Sequence, residues 1–257
     1  MEKYPRYLTP DSQPFNPLEV AKKTEEIVCR NSMRKYTAFY TVGVYRGIAT
    51  GYAVGCCLRC FYCWVGLGRD FPERYGEFFS PLEVVKNLER AGRKRGVRKC
   101  RISGGEPTLC RNHLLNVLKL IENNSWFELF ILETNGILFG ADEGYVRALT
   151  PFTKIHVRVS LKAGNEDGFQ QRTGAIGKFY QLPFKAIENL FEAGISFHVA
   201  AMTDPRIMPK EEREALIKRL AQIDSRIALN LEEEVVDPYE TTLFRLKRAG
   251  IKLAWYR

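Results

Sequence analysis

The sequence predicts an α/β fold: a parallel sheet with helices outside, curled into a partial (β/α)6 barrel. Three observations predict it. Strand-like and helix-like segments alternate about six times, at roughly 30 residues per pair, the size of one βα unit. The 257 residues suit one barrel of roughly 200–250 residues as readily as two smaller domains. No Ser/Gly linker or low-complexity stretch divides them. Six units are too few to close an eight-stranded barrel, so an open one is expected. Its functional site should lie at the C-terminal ends of the strands, where the βα loops gather.

The elements follow in order. Residues 1–40 have no clear period; Pro10, Pro14 and Pro17 mark an arm wrapped on the barrel, with a short helix at 18–27. The barrel itself is expected over residues 41–257 as one domain. Residues 42–54 are β-rich, broken at Gly47. Ser80-Pro81-Leu82-Glu83 reads as a capping box with Pro at the first helical position, opening a helix to 95 that stops at Gly96. Strands are expected at 98–103, 127–134, 154–161, 195–202, 227–231 and 251–255. Helices are expected at 109–123, 143–149, 183–193, 210–223 and 240–249.

Composition narrows the class. The chain is 45% hydrophobic and 27% charged, ordinary globular values that exclude disorder, collagen and a coiled coil. Residues 36–57 are nearly free of charge, but Arg46 and four glycines break any helix, so no membrane span is expected. The charged start leads into no apolar run, so no signal peptide is read and a reducing cytoplasm is the expected location. Disulfides are disfavoured there, and the seven cysteines are read as metal or redox ligands.

Cys56, Cys60 and Cys63 form C-x3-C-x2-C directly after the first strand. Three thiolates on one loop can ligate three metal positions, and a fourth would complete a zinc or iron–sulfur site. A cubane held by three cysteines leaves one iron open, as catalysis needs. A zinc site completed by Cys57, Cys100 or Cys110 is the competing reading. Ser103-Gly104-Gly105-Glu106-Pro107 ends the next strand; its glycines let the backbone approach a ligand, or form a plain turn. Leu132-Glu133-Thr134-Asn135-Gly136 ends the third, as an Asn-Gly turn or with Thr134 or Asn135 aimed at a ligand. Ser160 and Lys162 share a face of the fourth strand. Arg172-Thr173-Gly174 reads as a solvated or substrate-reaching loop, His198 as a core or ligand-facing strand residue. Glu232-Glu233-Glu234 reads as a surface acidic run or a substrate contact.

With Tyr62 before the last cysteine, this pattern resembles the radical S-adenosylmethionine (SAM) superfamily over residues 45–235. The resemblance implies that Cys56, Cys60 and Cys63 bind a [4Fe–4S] cluster whose fourth iron SAM chelates. It places Tyr62 beside the adenine and Gly104, Gly105 and Glu106 at the SAM amino group, with Glu106 an anchor of the loop. Thr134 and Asn135 face the cofactor, Lys162 its carboxylate, Ser160 the carboxylate or ribose, and His198 the ribose. Cys57 is a bystander. The L-x-T-N-G strand end is similar to compact archaeal-type relatives of pyruvate formate-lyase activating enzyme, although Ser160-Leu161-Lys162 lacks the Asp those activases carry. The implied activity is that of a radical SAM iron–sulfur oxidoreductase: reductive cleavage of SAM to methionine and a 5′-deoxyadenosyl radical that abstracts hydrogen from a macromolecule. RNA modification and a small-molecule substrate are the alternatives. Cys29, Cys100 and Cys110 are too dispersed to form an auxiliary cluster.

The electron is expected from a ferredoxin- or flavodoxin-type donor, and the substrate partner is a protein or an RNA; the oligomeric state has no signature. The rival class is a metal-stabilised nucleic-acid-binding module. It rests on the net charge of +9 and the run Arg90, Arg93, Lys94, Arg95, Arg98, Lys99 and Arg101.

Overall fold

The capping box forms as the sequence dictates. In the computed structural model, which describes residues 4–255, Ser80 Oγ accepts from the Glu83 amide and the Glu83 carboxylate accepts from the Ser80 amide. The helices are α1 (Pro17–Val28), α2 (Pro81–Arg95), α3 (Arg111–Glu122), α4 (Ile137–Ala141), α5 (Glu143–Arg147), α6 (Glu166–Thr173), α7 (Gln181–Glu192), α8 (Lys210–Ile223), α9 (Ser225–Leu229) and α10 (Glu240–Arg248). The strands are β1 (Cys29–Arg30), β2 (Met33–Val42), β3 (Ile48–Ala53), β4 (Glu77–Phe79), β5 (Lys99–Gly104), β6 (Leu129–Thr134), β7 (Ile155–Leu161), β8 (Phe197–Met202) and β9 (Glu232–Glu234).

One sheet holds them all, in the order β1-β2-β3-β5-β6-β7-β8-β9 with β4 beside β2. From β3 to β9 each neighbouring pair is parallel. These six strands are the expected partial barrel. Strand alternation sorts their side chains: Val157, Val159 and Leu161 of β7 are buried in the hydrophobic core, while Arg158, Ser160 and Lys162 take the other face. Helices close the outside through apolar stripes such as Leu114, Val117, Leu118 and Ile121 of α3.

Three segments are placed differently from expectation. The sheet already takes in part of the expected arm, at β1 and β2: β2 pairs antiparallel with β3 through a turn in which Tyr45 and Arg46 take positive φ. Arg34 and Lys35 disguise the strand in the sequence, although both side chains are buried. The strand expected at 227–231 is instead the helix α9, capped by Asp224 Oδ1, which accepts from the Arg226 amide at 2.7 Å. The sixth strand is the acidic triplet that follows. Residues 251–255 form no strand, and Trp255 packs against the Arg206 guanidinium.

Cys29 and Cys110 are joined in a disulfide, Cα to Cα 5.8 Å. This overturns the expectation of reduced thiols at these two positions. Their separation of 81 residues gives no local signal; the packing of the end of α1 on the start of α3 makes the pair. The crosslink restricts the unfolded chain, so Cys29→Ser with Cys110→Ser is expected to cost about 2–4 kcal/mol. Thermal melts of the oxidised wild type against this variant check it; equal midpoints would refute it.

Arg90, Arg93, Lys94, Arg95 and Arg98 of the basic run are exposed. Arg93, Lys94 and Arg95 occupy the last turn of α2, where cations favour the helix dipole. Arg93 and Arg98 lie over the Trp126 ring, and Arg101 is buried. The run leads into the start of β5, the end of the barrel opposite the cysteines. Among the described residues no helix is long and apolar enough to cross a membrane.

Candidate functional site

The cysteine loop leaves β3 with no regular structure of its own, so its carbonyls need donors. Three buried arginines supply them. Arg59 donates to Cys56 O at 2.7 Å and Leu58 O at 2.8 Å, Arg69 to Cys60 O at 2.7 Å, and Arg245 to Cys63 O and Val65 O at 2.5 Å each. Asp70, fully buried, pairs with both Arg69 and Arg245. The loop's amides are met from the far side of the barrel: Arg59 N donates to Thr173 O at 2.9 Å and Phe61 N to Arg172 O at 3.2 Å. Arg172-Thr173-Gly174 is therefore neither a solvated loop nor a substrate contact. Arg172 is 1% exposed and its guanidinium is held by both Glu212 oxygens at 2.7 Å.

The glycine loop after β5 is stitched to the cysteine loop. Gly105 N donates to Ala53 O and Glu106 N to Gly55 O, each at 2.8 Å. A Cβ on Gly105 would collide with the Gly55 carbonyl, so no larger residue fits this approach. Buried Arg34 takes the carbonyls of Glu106, Pro107 and Leu109, each at 2.6 Å. The Glu106 carboxylate accepts from Thr108 N, Thr108 Oγ1, Thr134 Oγ1 and Asn135 N at 2.7–3.1 Å. With four donors fixed on it, Glu106 anchors two strand ends. Thr134 is spent in the same way, whereas Asn135 turns its amide toward the Cys56 and Cys57 sulfurs.

These loops wall a half-open cavity of about 240 Å³. Cys56, Cys60, Tyr62, Cys63, Gly104, Gly105, Glu106, Thr134, Asn135, Ser160 and Lys162 all line it. His198 does not: it lies toward the start of β8, its Nδ1 2.7 Å from His156 Nε2 and its Nε2 3.0 Å from Glu232 Oε2.

Sequence reasoning missed the polar floor of this cavity. Arg158 on β7 reaches across β8 to Glu232 and Glu234 on β9, each at 2.9 Å, and Ser160 Oγ donates to Glu234 at 3.0 Å. Arg101 pairs with Glu133, which also accepts from Ser103 Oγ and Tyr45 OH. The acidic triplet is thus in part an inward feature, with Glu233 alone paired outward to Arg213. The available signal was a polar side chain at alternate positions of β5 and β7, which are otherwise apolar. Burial pushes the Tyr45 hydroxyl up, so it stays a donor.

Hydrogen bonds from Arg158 hold the Glu232 carboxyl down at about 2, against its partial burial. That lies below the unfolded value of about 4.3. Its contribution to stability is therefore complete above about pH 4.3 and lost as pH falls toward 2. Glu232→Gln is expected to melt below wild type at pH 6, the gap closing in acid; a constant gap would refute the ion pair's role.

The donor set fits a thiolate-held cluster with an organic ligand beside it. Burial pushes the Cys60 thiol up to about 11, so its deprotonation calls for a cation to hold the charge. Cys56, Cys60 and Cys63 are free thiols on one loop, and all three line the cavity. The buried Tyr62 hydroxyl on the cavity wall has no partner, as expected of a wall that awaits a polar ligand.

The sequence model described as the radical SAM superfamily matches residues 52–220. A probable GTP 3',8-cyclase of Methanococcus maripaludis is 34% identical over 141 residues, 55% of this chain and 44% of that protein. The chain thus spans less than half the length of this curated relative. Streptococcus suis SuiB superposes with a TM-score of 0.56 at 18% identity, over 79% of this chain and 41% of that one. Native anSMEcpe with bound AdoMet superposes with a TM-score of 0.50 at 19% identity, over 71% and 49%. These two likenesses are of fold.

Proposed function

We propose that this chain, which belongs to the radical SAM superfamily, holds its [4Fe–4S] cluster on Cys56, Cys60 and Cys63 and abstracts hydrogen from a macromolecule presented at the cavity mouth. When bound, cluster and SAM together supply reductive cleavage to methionine and a 5′-deoxyadenosyl radical. The observation that carries the reading is the wall itself: cysteine loop, glycine loop and Asn135 are tied to one another and face one cavity.

The chain's residues divide the remaining work. Lys162, whose Nζ donates to Ser160 Oγ at 2.6 Å, keeps further N–H groups for a carboxylate. Glycine-loop carbonyls suit an ammonium group, and Tyr62 lines the cavity with them. The rim favours a large substrate: Trp64, Val235 and Tyr239 are exposed there, and Trp64 touches both Tyr239 and Tyr52 ring to ring. An apolar rim of this kind marks an interaction surface, and a covering partner excludes water from a radical site.

A nucleotide substrate is the second reading, favoured by the name of the relatives. Against it, Arg158 on the cavity wall is already neutralised by Glu232 and Glu234, which leaves little to bind a triphosphate. Kinship with pyruvate formate-lyase activating enzymes rests on the L-x-T-N-G strand end. A ferredoxin- or flavodoxin-type protein is the electron donor in either case.

Anaerobic reconstitution with iron and sulfide, then dithionite and SAM, tests the proposal. Brown protein forming methionine and 5′-deoxyadenosine is expected. A cluster-loaded sample that cleaves no SAM would overturn it.

A further inference from the structure

Asn135 sits at the end of β6, and every polar atom of its side chain has a partner. Oδ1 accepts from the Ile137 amide at 3.0 Å, which fixes the plane of the carboxamide. Nδ2 then faces two sulfurs, Cys57 Sγ at 3.3 Å and Cys56 Sγ at 3.7 Å. A primary amide carries two N–H groups, and here two sulfurs receive them. The backbone amide donates to Glu106 Oε2 at 2.8 Å, so main chain and side chain are both pinned. At 6% exposure the residue has little water to compete for its donors. The Asn-Gly turn explains the Oδ1 contact; it does not explain where Nδ2 points.

We propose that Asn135 is a positioning residue for the cluster: its carboxamide donates to the sulfur of Cys56 and sets the cluster's reduction potential, with Cys57 as the second acceptor that keeps the carboxamide aimed. The inference rests on the reading above that Cys56 ligates the cluster. Hydrogen bonds to ligating sulfurs are among the protein's levers on an iron–sulfur potential. Reduction adds negative charge that spreads onto the sulfurs, and a donor at Cys56 stabilises it. The donor raises the potential and makes the cluster easier to reduce. Cys57, a bystander by sequence, acquires a role that needs no metal contact.

Asn135→Asp is the sharpest variant. It keeps the shape and the Oδ1 acceptor for Ile137, but replaces the N–H donors with a carboxylate oxygen beside two sulfurs. Asn135→Ala removes the donors without adding charge. Both variants and the wild type would be reconstituted anaerobically without SAM. Iron content and melting temperature are recorded first. The potential is then read by redox titration, following the reduced cluster's electron paramagnetic resonance signal.

The expected result is iron content near wild type in Asn135→Ala, with the reduced-to-oxidised ratio at fixed poise about tenfold lower, equivalent to about 59 mV for one electron. Asn135→Asp should shift further in the same direction. Loaded variants with the wild-type potential would overturn the proposal. So would loss of iron in both variants, because Asn135 would then only hold the loop together. A wild type that binds no cluster would instead sink the functional reading, so the two failures are distinguishable.

Discussion

Cys60→Ser is expected to give colourless protein with background iron and no 5′-deoxyadenosine above background, while folding normally. Cys60 is 8% exposed and lines the cavity, and a serine hydroxyl there is a far poorer iron ligand than a thiolate. The loop around it does not depend on the side chain, because its carbonyls and amides are bonded to Arg69, Arg172 and their neighbours. Circular dichroism should therefore be unchanged. Cys56→Ser and Cys63→Ser should behave alike. Cys100→Ser is the contrast: that cysteine is fully buried in the outer core away from the cavity and should keep colour and turnover. Iron retained in Cys60→Ser, or lost in Cys100→Ser, would refute the ligand assignment.

Asp70→Asn is expected to cost about 3–5 kcal/mol, because removing one partner of a buried ion pair leaves the other charge uncompensated. Here one carboxylate serves two guanidiniums, with Arg69 2% and Arg245 1% exposed. At about 2–4 °C per kcal/mol for a chain of this size, the melting temperature should fall by roughly 6–20 °C. The effect should reach the site as well, since Arg69 and Arg245 hold the carbonyls of Cys60 and Cys63. Iron incorporation is expected to drop with stability. Asp224→Asn, which removes the charge paired with exposed Arg226 but keeps the Oδ1 acceptor that caps α9, is the control and should change the melting point far less. Equal losses in the two variants would show that burial at Asp70 carries no special weight.

Much of the site was legible in the sequence because its chemistry is local. A C-x3-C-x2-C loop, a Gly-Gly pair and a Thr-Asn-Gly strand end each lie within a few residues, and a strand-and-helix period spaces them onto one rim. His198 was misjudged for the same reason: the period gives the strand but not the height along it, and its place near the start of β8 puts it with His156 and Glu232.

The sequence alone determined the six-unit α/β architecture, the capping box and glycine stop of α2, and the three thiols and loops that line one cavity. Each of those depends on residues near one another along the chain, where spacing and side-chain type suffice. Only the tertiary structure decided which distant groups meet. It joined Cys29 to Cys110, set Asp70 between two arginines, turned Glu232 and Glu234 inward against Arg158, and aimed Asn135 at the cysteine loop. A buried charge or thiol has its partner fixed by the path of the folded chain, and one-dimensional spacing carries no record of that path.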